Sequence, residues 1–331
     1  MRNKFLKFFL TLLILFPLTL SFTSECKAGE AKVIYPVKAV TIICPWSAGG
    51  GTDALARLMG DQLQKKFGKP FRVVNKTGGG GAAGHMAGAL AKPDGYTLTL
   101  ATVEIASMHW MGLTDLTVDN FDYVIQINQD PASIIVKEDA PWETINELLD
   151  DVKKNPGKFM FYGNPTGGSW GVAAIGMISA AGLPIDSVKW IPAEGAAPAI
   201  TELLGGHIDV FTGSLPETKS QIDANLLRPI AIMSDERDPN FPNLPTLKEL
   251  GINWSLGTWR GFVVPRGTPK EIIDTLYNAF NEIINSSEFK DFMSKRGFGI
   301  QIRNSEEFAQ FAKEQDSTWK NILELATGAI K

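Results

Sequence analysis

Cysteine and histidine are scarce in this sequence, with two Cys and three His among 331 residues. His85, His109 and His207 are scattered, and no second cysteine is spaced to form a thiolate pair, so the pattern offers no metal centre. Once Cys26 is removed by the processing inferred below, Cys44 cannot form an intrachain disulfide. We expect Cys44 to be a small buried residue at the end of a strand.

Long apolar runs are also missing, except at the N-terminus. There, basic residues precede an apolar run, residues 5–22, which contains Pro17 and is followed by small residues up to Ala28. This order predicts a secretory signal peptide over residues 1–28 and a periplasmic mature protein. A membrane anchor or a lipid anchor on Cys26 is the alternative, but Pro17, the cleavage site and the charge of Glu25 disfavour it.

An excess of positive charge is absent as well. Loss of residues 1–28 removes four basic residues and one acidic residue, which takes the formal charge from −4 to −7. An acidic chain argues against nucleic acid as a partner. Any affinity for an anion must therefore come from local backbone N–H groups and helix dipoles.

A glycine-rich loop at residues 45–53 lies between an apolar run, residues 40–44, and an amphipathic run that starts near Ala54. This order predicts a strand, a loop and a helix, with backbone N–H groups and the positive end of the helix dipole available to a small anion. Asp53 either caps the helix or faces the ligand. The candidate ligand contacts in this loop are Trp46, Ser47, Ala48, Gly49, Gly50, Thr52 and Asp53.

The same strand, glycine loop and helix recur at residues 71–90 and 159–181, and shorter versions occur at 188–204 and 208–216. The alternation of strands and helices predicts mostly parallel sheets, and ligands bind beyond the carboxyl ends of such strands. We therefore expect these loops to converge. The further candidates are Gly80, Gly81, Ala82, Thr102, Gly167, Gly168, Ser169 and Ser214.

The length exceeds that of one typical domain, and 44% hydrophobic residues supply ample core. We place a crossing between the strand candidates at residues 121–127 and 133–136, and we expect the strand at 228–233 to return to the first domain. The predicted domains are lobe 1, residues 29–131 and 233–331, and lobe 2, residues 132–232.

Two motifs suggest enzymes instead. Residues 79–84 match the G-x-G-x-x-G dinucleotide pattern, with Glu104 about 20 residues on, but the pattern alone is common in glycine-rich loops. Residues 167–171 match G-x-S-x-G, so the alternative function is an exported serine hydrolase with Ser169 as nucleophile. The catalytic base would have to be His207, although the spacing from Ser169 to His207 is short for a hydrolase. The acid would be Asp186, Glu194 or Glu202. Ser169 is better explained as a helix cap and hydroxyl donor.

Residues 45–57 resemble the P-F-x-x-G-G-x-x-D-x-x-A-R stretch of the periplasmic solute receptors of tripartite tricarboxylate transporters, the Bug family. Further matches span the mature chain in the family's order. They lie at residues 75–81, 92–98, 195–199, 204–209 and 244–251.

The resemblance implies a two-lobed α/β periplasmic binding protein of type II-like fold, each lobe a mostly parallel sheet flanked by helices. It implies a receptor, not an enzyme, that needs no cofactor. Such a receptor holds a small organic mono- or dicarboxylate in the cleft between its lobes and passes it to membrane permease subunits. The sequence departs from the family at Trp46, Val172 and Glu194. Glu194 stands where the family often has lysine, which disfavours an extra carboxylate at that point.

Overall fold

The computed structural model describes residues 34–163 and 168–327, so the predicted signal peptide lies outside the described residues. Strands and helices alternate along most of the chain. The described strands are β1 Val40–Cys44, β2 Phe71–Asn75, β3 Thr97–Thr102, β4 Phe121–Pro131, β5 Ser133–Lys137, β6 Met160–Tyr162, β7 Lys189–Ile191, β8 Phe211–Gly213, β9 Leu227–Ile232, β10 Gly257–Pro265 and β11 Ile300–Arg303. The described α-helices are α1 Gly51–Phe67, α2 Ala82–Ala89, α3 Ile145–Lys154, α4 Ser169–Ala180, α5 Ala196–Leu204, α6 Leu215–Asp223, α7 Lys270–Asn285, α8 Ser287–Arg296 and α9 Ser305–Thr327.

Six strands form the largest sheet, in the order β11-β4-β10-β3-β1-β2. β1 pairs in parallel with β2 and β3, as strand-helix-strand units require. The late strand β10 lies between β3 and β4 and is antiparallel to both, and β11 is antiparallel to β4. The sheet is therefore mixed rather than mostly parallel, because strands from the C-terminal third of the chain enter it in the opposite direction.

The middle of the chain forms two smaller sheets, ordered β8-β5-β9 and β6-β7. β4 ends at Pro131 in the large sheet and β5 starts at Ser133 in a small one, so the chain passes between them at Ala132. β9 does not return to the large sheet as expected, since its ladder partner is β5. The return falls between β9 and β10. The lobe boundaries themselves stay a prediction.

Amphipathic helices cover the large sheet. In α1, Leu55, Met59 and Leu63 recur at helical spacing and are fully buried, and α7 buries its own stripe on the same side. α1 ends at Gly68, whose φ of 63° is left-handed and suits glycine at a helix C-terminus. The predicted helix stripes are therefore confirmed as core.

The last helix, α9, packs on α4 and on β4 and buries Phe308, Trp319 and Leu323. This confirms that its aromatic stripe is core. Cys44, at the end of β1, is also fully buried, and burial raises the pKa of its thiol to about 12. Across the part of the chain that the structure describes, no helix has the length and apolar character needed to cross a bilayer.

Candidate functional site

A small cavity lies where the strand-to-helix loops of the large and small sheets meet, with about 30 Å³ open to the centre of a water-sized probe. An organic ligand therefore needs this cavity to widen. Its wall combines both parts of the chain: from the large-sheet part Trp46, Ser47, Gly50, Gly51, Thr52, Thr102, Glu104, Thr258 and Arg260, and from the small-sheet part Tyr162, Gly168, Ser169, Trp170, Gly195, Ala196 and Glu217.

Three helices of the described chain, α1, α4 and α5, begin at this cavity. Their N-cap residues are Gly50, Gly168 and Gly195, which have no side chain to accept the N–H groups of the first turn. At the starts of α1 and α5 the described chain shows no side-chain cap hydrogen bond, whereas at α4 the Glu104 carboxylate accepts the Ser169 N–H. Three positive helix ends therefore point at one small volume.

The first glycine loop is held in shape by Asp53. Its carboxylate accepts the Gly49 N–H, the Asn75 side-chain N–H and the Arg57 guanidinium, each at 2.9 Å. Burial opposes ionisation, but these bonds, the one from Arg57 foremost, hold the pKa of Asp53 below its usual value. Asp53 is absent from the cavity wall and is 3% exposed, so its contacts are those of a loop clamp.

Trp46 forms part of the wall and orders the residues behind it. Its indole N–H donates to the Thr102 hydroxyl at 3.2 Å. The ring passes close to two glycines, because a Cβ on Gly81 would lie 3.1 Å from it and one on Gly168 would lie 3.5 Å away. The second glycine loop thus packs behind Trp46. This position accounts for the absence of Gly80, Gly81 and Ala82 from the wall.

Glu104 joins the large sheet to the start of α4. It lies in a short 3-10 turn after β3, is 2% exposed, and accepts the Ser169 N–H at 2.8 Å. Its other oxygen accepts the Thr102 hydroxyl. The first turn of α4 therefore already holds a carboxylate that belongs to the protein.

Ser47 joins the first loop to the loop before α5. Its N–H and its hydroxyl both donate to the Glu194 carbonyl, at 3.3 and 2.8 Å. The Glu194 residue is exposed, and its contact with Ser47 is made by the backbone carbonyl, which does not depend on the side chain at this position.

Arg260 carries the one guanidinium of the wall among the described residues. It donates to Asp130 at 2.7 Å, to Asn128 at 2.6 Å, to Thr52 at 3.0 Å and to Glu217 at 3.3 Å. Burial raises the pKa of both carboxyls, Asp130 and Glu217, although Arg260 opposes the rise. The network connects β4, β10, α1 and α6.

The sequence-predicted residues divide into two groups. Those in the wall are Trp46, Ser47, Gly50, Thr52, Thr102, Gly168 and Ser169. Those set back from it are Ala48, Gly49, Asp53, Gly80, Gly81, Ala82 and Ser214, and Gly167 lies outside the described residues. Ser214 sits behind Glu217, to whose carboxylate it donates its N–H at 3.1 Å.

Sequence reasoning missed the charged part of the wall. Arg260 interrupts an apolar strand, and a single charge in such a strand needs a buried partner of opposite charge. This position in the sequence could therefore have indicated a buried ion pair. Residues 214–217 form a capping-box pattern, which accounts for Glu217 as part of the helix start. The pattern gives no indication that Glu217 also binds Arg260. The other missed residues are Gly51, Glu104, Tyr162, Trp170, Gly195, Ala196 and Thr258.

The arrangement needed for the hydrolase alternative is not assembled. Ser169 lies in the wall, but His207 is exposed, its Nδ1 lies 2.8 Å from Glu202, and it is not among the wall residues. Within residues 34–163 and 168–327, no group of three or more His, Cys, Asp or Glu residues could hold a metal ion.

Comparison with known proteins agrees with this architecture. The structure of the periplasmic binding protein BugD superposes with a TM-score of 0.82 at 28% identity, over 88% of this chain and 98% of BugD. MatC from Rhodopseudomonas palustris, solved with bound malate, superposes with a TM-score of 0.81 at 24% identity, over 88% of this chain and all of MatC (100%). The fold is that of the periplasmic solute-binding proteins.

The sequence comparisons identify the family. The family described as tripartite tricarboxylate transporter family receptor matches residues 55–327. The protein BugT of Bordetella pertussis is 28% identical over 317 residues, which cover 93% of this chain and 94% of BugT. The chain belongs to this receptor family, and the resemblance inferred from the motifs is confirmed.

Proposed function

We propose that this protein is an exported, non-catalytic receptor that binds a small organic carboxylate in the cavity and delivers it to the permease of a tripartite tricarboxylate-type transporter. The observation that carries the proposal is the convergence of α1, α4 and α5, each with glycine at its N-cap, on one cavity. Backbone N–H groups at helix starts bind carboxylates without a fixed cation.

Family membership and one neighbour support the carboxylate. The family consists of receptors described as belonging to tripartite tricarboxylate transporters. MatC, which has the same fold, was solved with bound malate. The predicted signal peptide and the family's periplasmic members support export. We further propose that residues 29–131 and 233–331 form one lobe, that residues 132–232 form the other, and that the lobes close on the ligand.

A thermal-shift screen of mono-, di- and tricarboxylic acids on the mature chain tests this function. A ligand at 100 times its Kd stabilises the folded protein by about 2.7 kcal/mol, which is readily detected as a rise in melting temperature. Phosphate and sulfate at the same ionic strength are the controls, because they report binding of any anion. The proposal fails if no carboxylate raises the melting temperature above these controls.

A further inference from the structure

The anion-binding position at the start of α4 is occupied by the protein itself. Glu104 accepts the Ser169 N–H at 2.8 Å and also the Thr102 hydroxyl, and its carboxylate lines the cavity. An anionic group of a ligand at this helix end would therefore meet a carboxylate rather than a free N–H group. In the described chain no carboxylate accepts an N–H group of the first turn of α1 or of α5; Asp53 lies in the first turn of α1 but accepts the Gly49 N–H, and the Glu217 carboxylate packs beside Gly51.

The buried charges around the cavity are predominantly negative. Glu104 and Glu217 lie in the wall, and Asp130 lies behind it, each 5% exposed or less. Arg260 is the one cation among the described wall residues, and it is already bonded to Asp130 and Glu217. No cationic side chain of residues 34–163 or 168–327 is bonded to the second carboxylate in the wall, that of Glu104.

The histidine nearest to this carboxylate does not neutralise it. His85 accepts the Thr102 N–H at 3.2 Å, and its other ring nitrogen lies 2.8 Å from the Gly81 carbonyl. Burial lowers the pKa of His85 to about 4, so the ring is neutral at physiological pH. A neutral His85 therefore supplies no positive charge beside the Glu104 carboxylate.

We propose that Glu104 is a specificity-determining residue and that the ligand is a small amino carboxylate, with its carboxylate at the first turns of α1 and α5 and its ammonium group facing Glu104. This inference rests on the proposed function and narrows its ligand class. An ammonium group next to Glu104 forms a charge-assisted hydrogen bond in a buried site. A second carboxylate there meets a like charge, which such a site penalises strongly.

Matched ligand pairs test the charge preference directly. Succinate and β-alanine, glutarate and 4-aminobutyrate, and methylmalonate and alanine differ only in the replacement of one carboxylate by an ammonium group. Titration calorimetry of the mature chain should give Kd values that are roughly tenfold or more lower for the amino member of the pair that fits the cavity. The inference is overturned if dicarboxylates bind as tightly as, or more tightly than, their amino partners.

A charge-neutral variant assigns the preference to Glu104. In Glu104→Gln the amide oxygen still accepts the Ser169 N–H, so the turn is retained while the charge is lost. The preference for the amino member should fall roughly tenfold in this variant and stay unchanged in Glu138→Gln, an exposed control. An unchanged ratio in Glu104→Gln would overturn the role of Glu104. If Glu104→Gln does not fold, Glu104→Asp is measured instead, because it moves the charge back by one methylene. The ratio of Kd values for the wild-type protein still tests the ligand preference.

The two proposals fail in different ways. If dicarboxylates bind and amino carboxylates do not, the receptor function stands and the inference about Glu104 is wrong. If no carboxylate of either kind binds, the receptor function loses its support together with the inference.

Discussion

Arg260 and Glu217 form an ion pair between β10 and α6, with the guanidinium Nη2 at 3.3 Å from the carboxylate Oε1 and side chains that are 2% and 5% exposed. The same guanidinium binds Asp130 at the end of β4, where the chain leaves the large sheet. Arg260 therefore pairs both with Asp130, where the chain leaves the large sheet, and with Glu217 in the first turn of α6. One side chain connects the strand that ends the first segment to a helix of the middle segment.

Replacement of Arg260 by methionine should destabilise the fold strongly. The variant keeps most of the side-chain volume but leaves Asp130 and Glu217 buried without their counter-ion, a change that costs about 3 to 5 kcal/mol in the free energy of unfolding. Urea unfolding followed by tryptophan fluorescence measures it. Lys219→Met, which removes an exposed pair with Asp223, is the control and should remain close to wild type. A wild-type midpoint for Arg260→Met would show that the network is not stabilising.

Gly51→Ala should disturb the contact between α1 and α6. A Cβ at Gly51 would lie 2.9 Å from Glu217 Cγ and 3.1 Å from Arg260 Nη2, so the ion pair must shift. We expect a loss of about 1 to 3 kcal/mol in stability, typical of overpacking, and weaker binding of any carboxylate found in the screen. Gly50→Ala is the matched control for stability, because its Cβ meets nothing closer than 3.6 Å. Equal effects of the two changes would argue against this contact.

Asp53→Asn should loosen the first glycine loop. The amide cannot accept three donors as the carboxylate does, so the Gly49 N–H or the Asn75 side chain loses its partner, at about 1 to 3 kcal/mol. Because the folded-state pKa of Asp53 is lowered, its contribution is present above the unfolded value and is lost as pH falls through the folded one. The gap between variant and wild type should therefore shrink below about pH 4. Asp61→Asn, on the exposed face of α1, is the control for urea unfolding at each pH.

Local patterns in the sequence predicted those parts of the site that are themselves local. The glycine loop before α1 and the helical spacing of Leu55, Met59 and Leu63 are signals carried by neighbouring residues, and both matched the structure. The direction of β10 was not predicted, because its partners β3 and β4 are over a hundred residues away and apolar runs do not specify orientation.

The charged wall was missed for a related physical reason. Glu104 and Ser169 are 65 residues apart, and Arg260 and Asp130 are 130 apart, so neither pair leaves a spacing that a sequence motif can detect. Glycine loops indicate backbone geometry, which neighbouring residues determine. Charge compensation is decided by which strands meet, and that depends on the sheet order.

His85 should make the protein sensitive to mild acid. The ring is fully buried, and burial lowers its pKa from an ordinary value of 6.5 to about 4. Between these two values the unfolded chain binds a proton that the folded chain does not, so stability falls as pH is lowered from about 6.5 to 4. A shift of this size corresponds to a loss on the order of 3 kcal/mol.

His85→Gln isolates this contribution. Its amide oxygen can still accept the Thr102 N–H but has no proton to bind, so the variant should be less stable at pH 7 yet lose less stability on acidification. Asp130 and Glu217 have raised pKa values and act in the opposite direction, but they are common to both proteins and cancel in the difference. Urea unfolding at half-unit steps from pH 7 to 4 gives both curves. Parallel curves would mean that His85 is not the group responsible for the acid sensitivity.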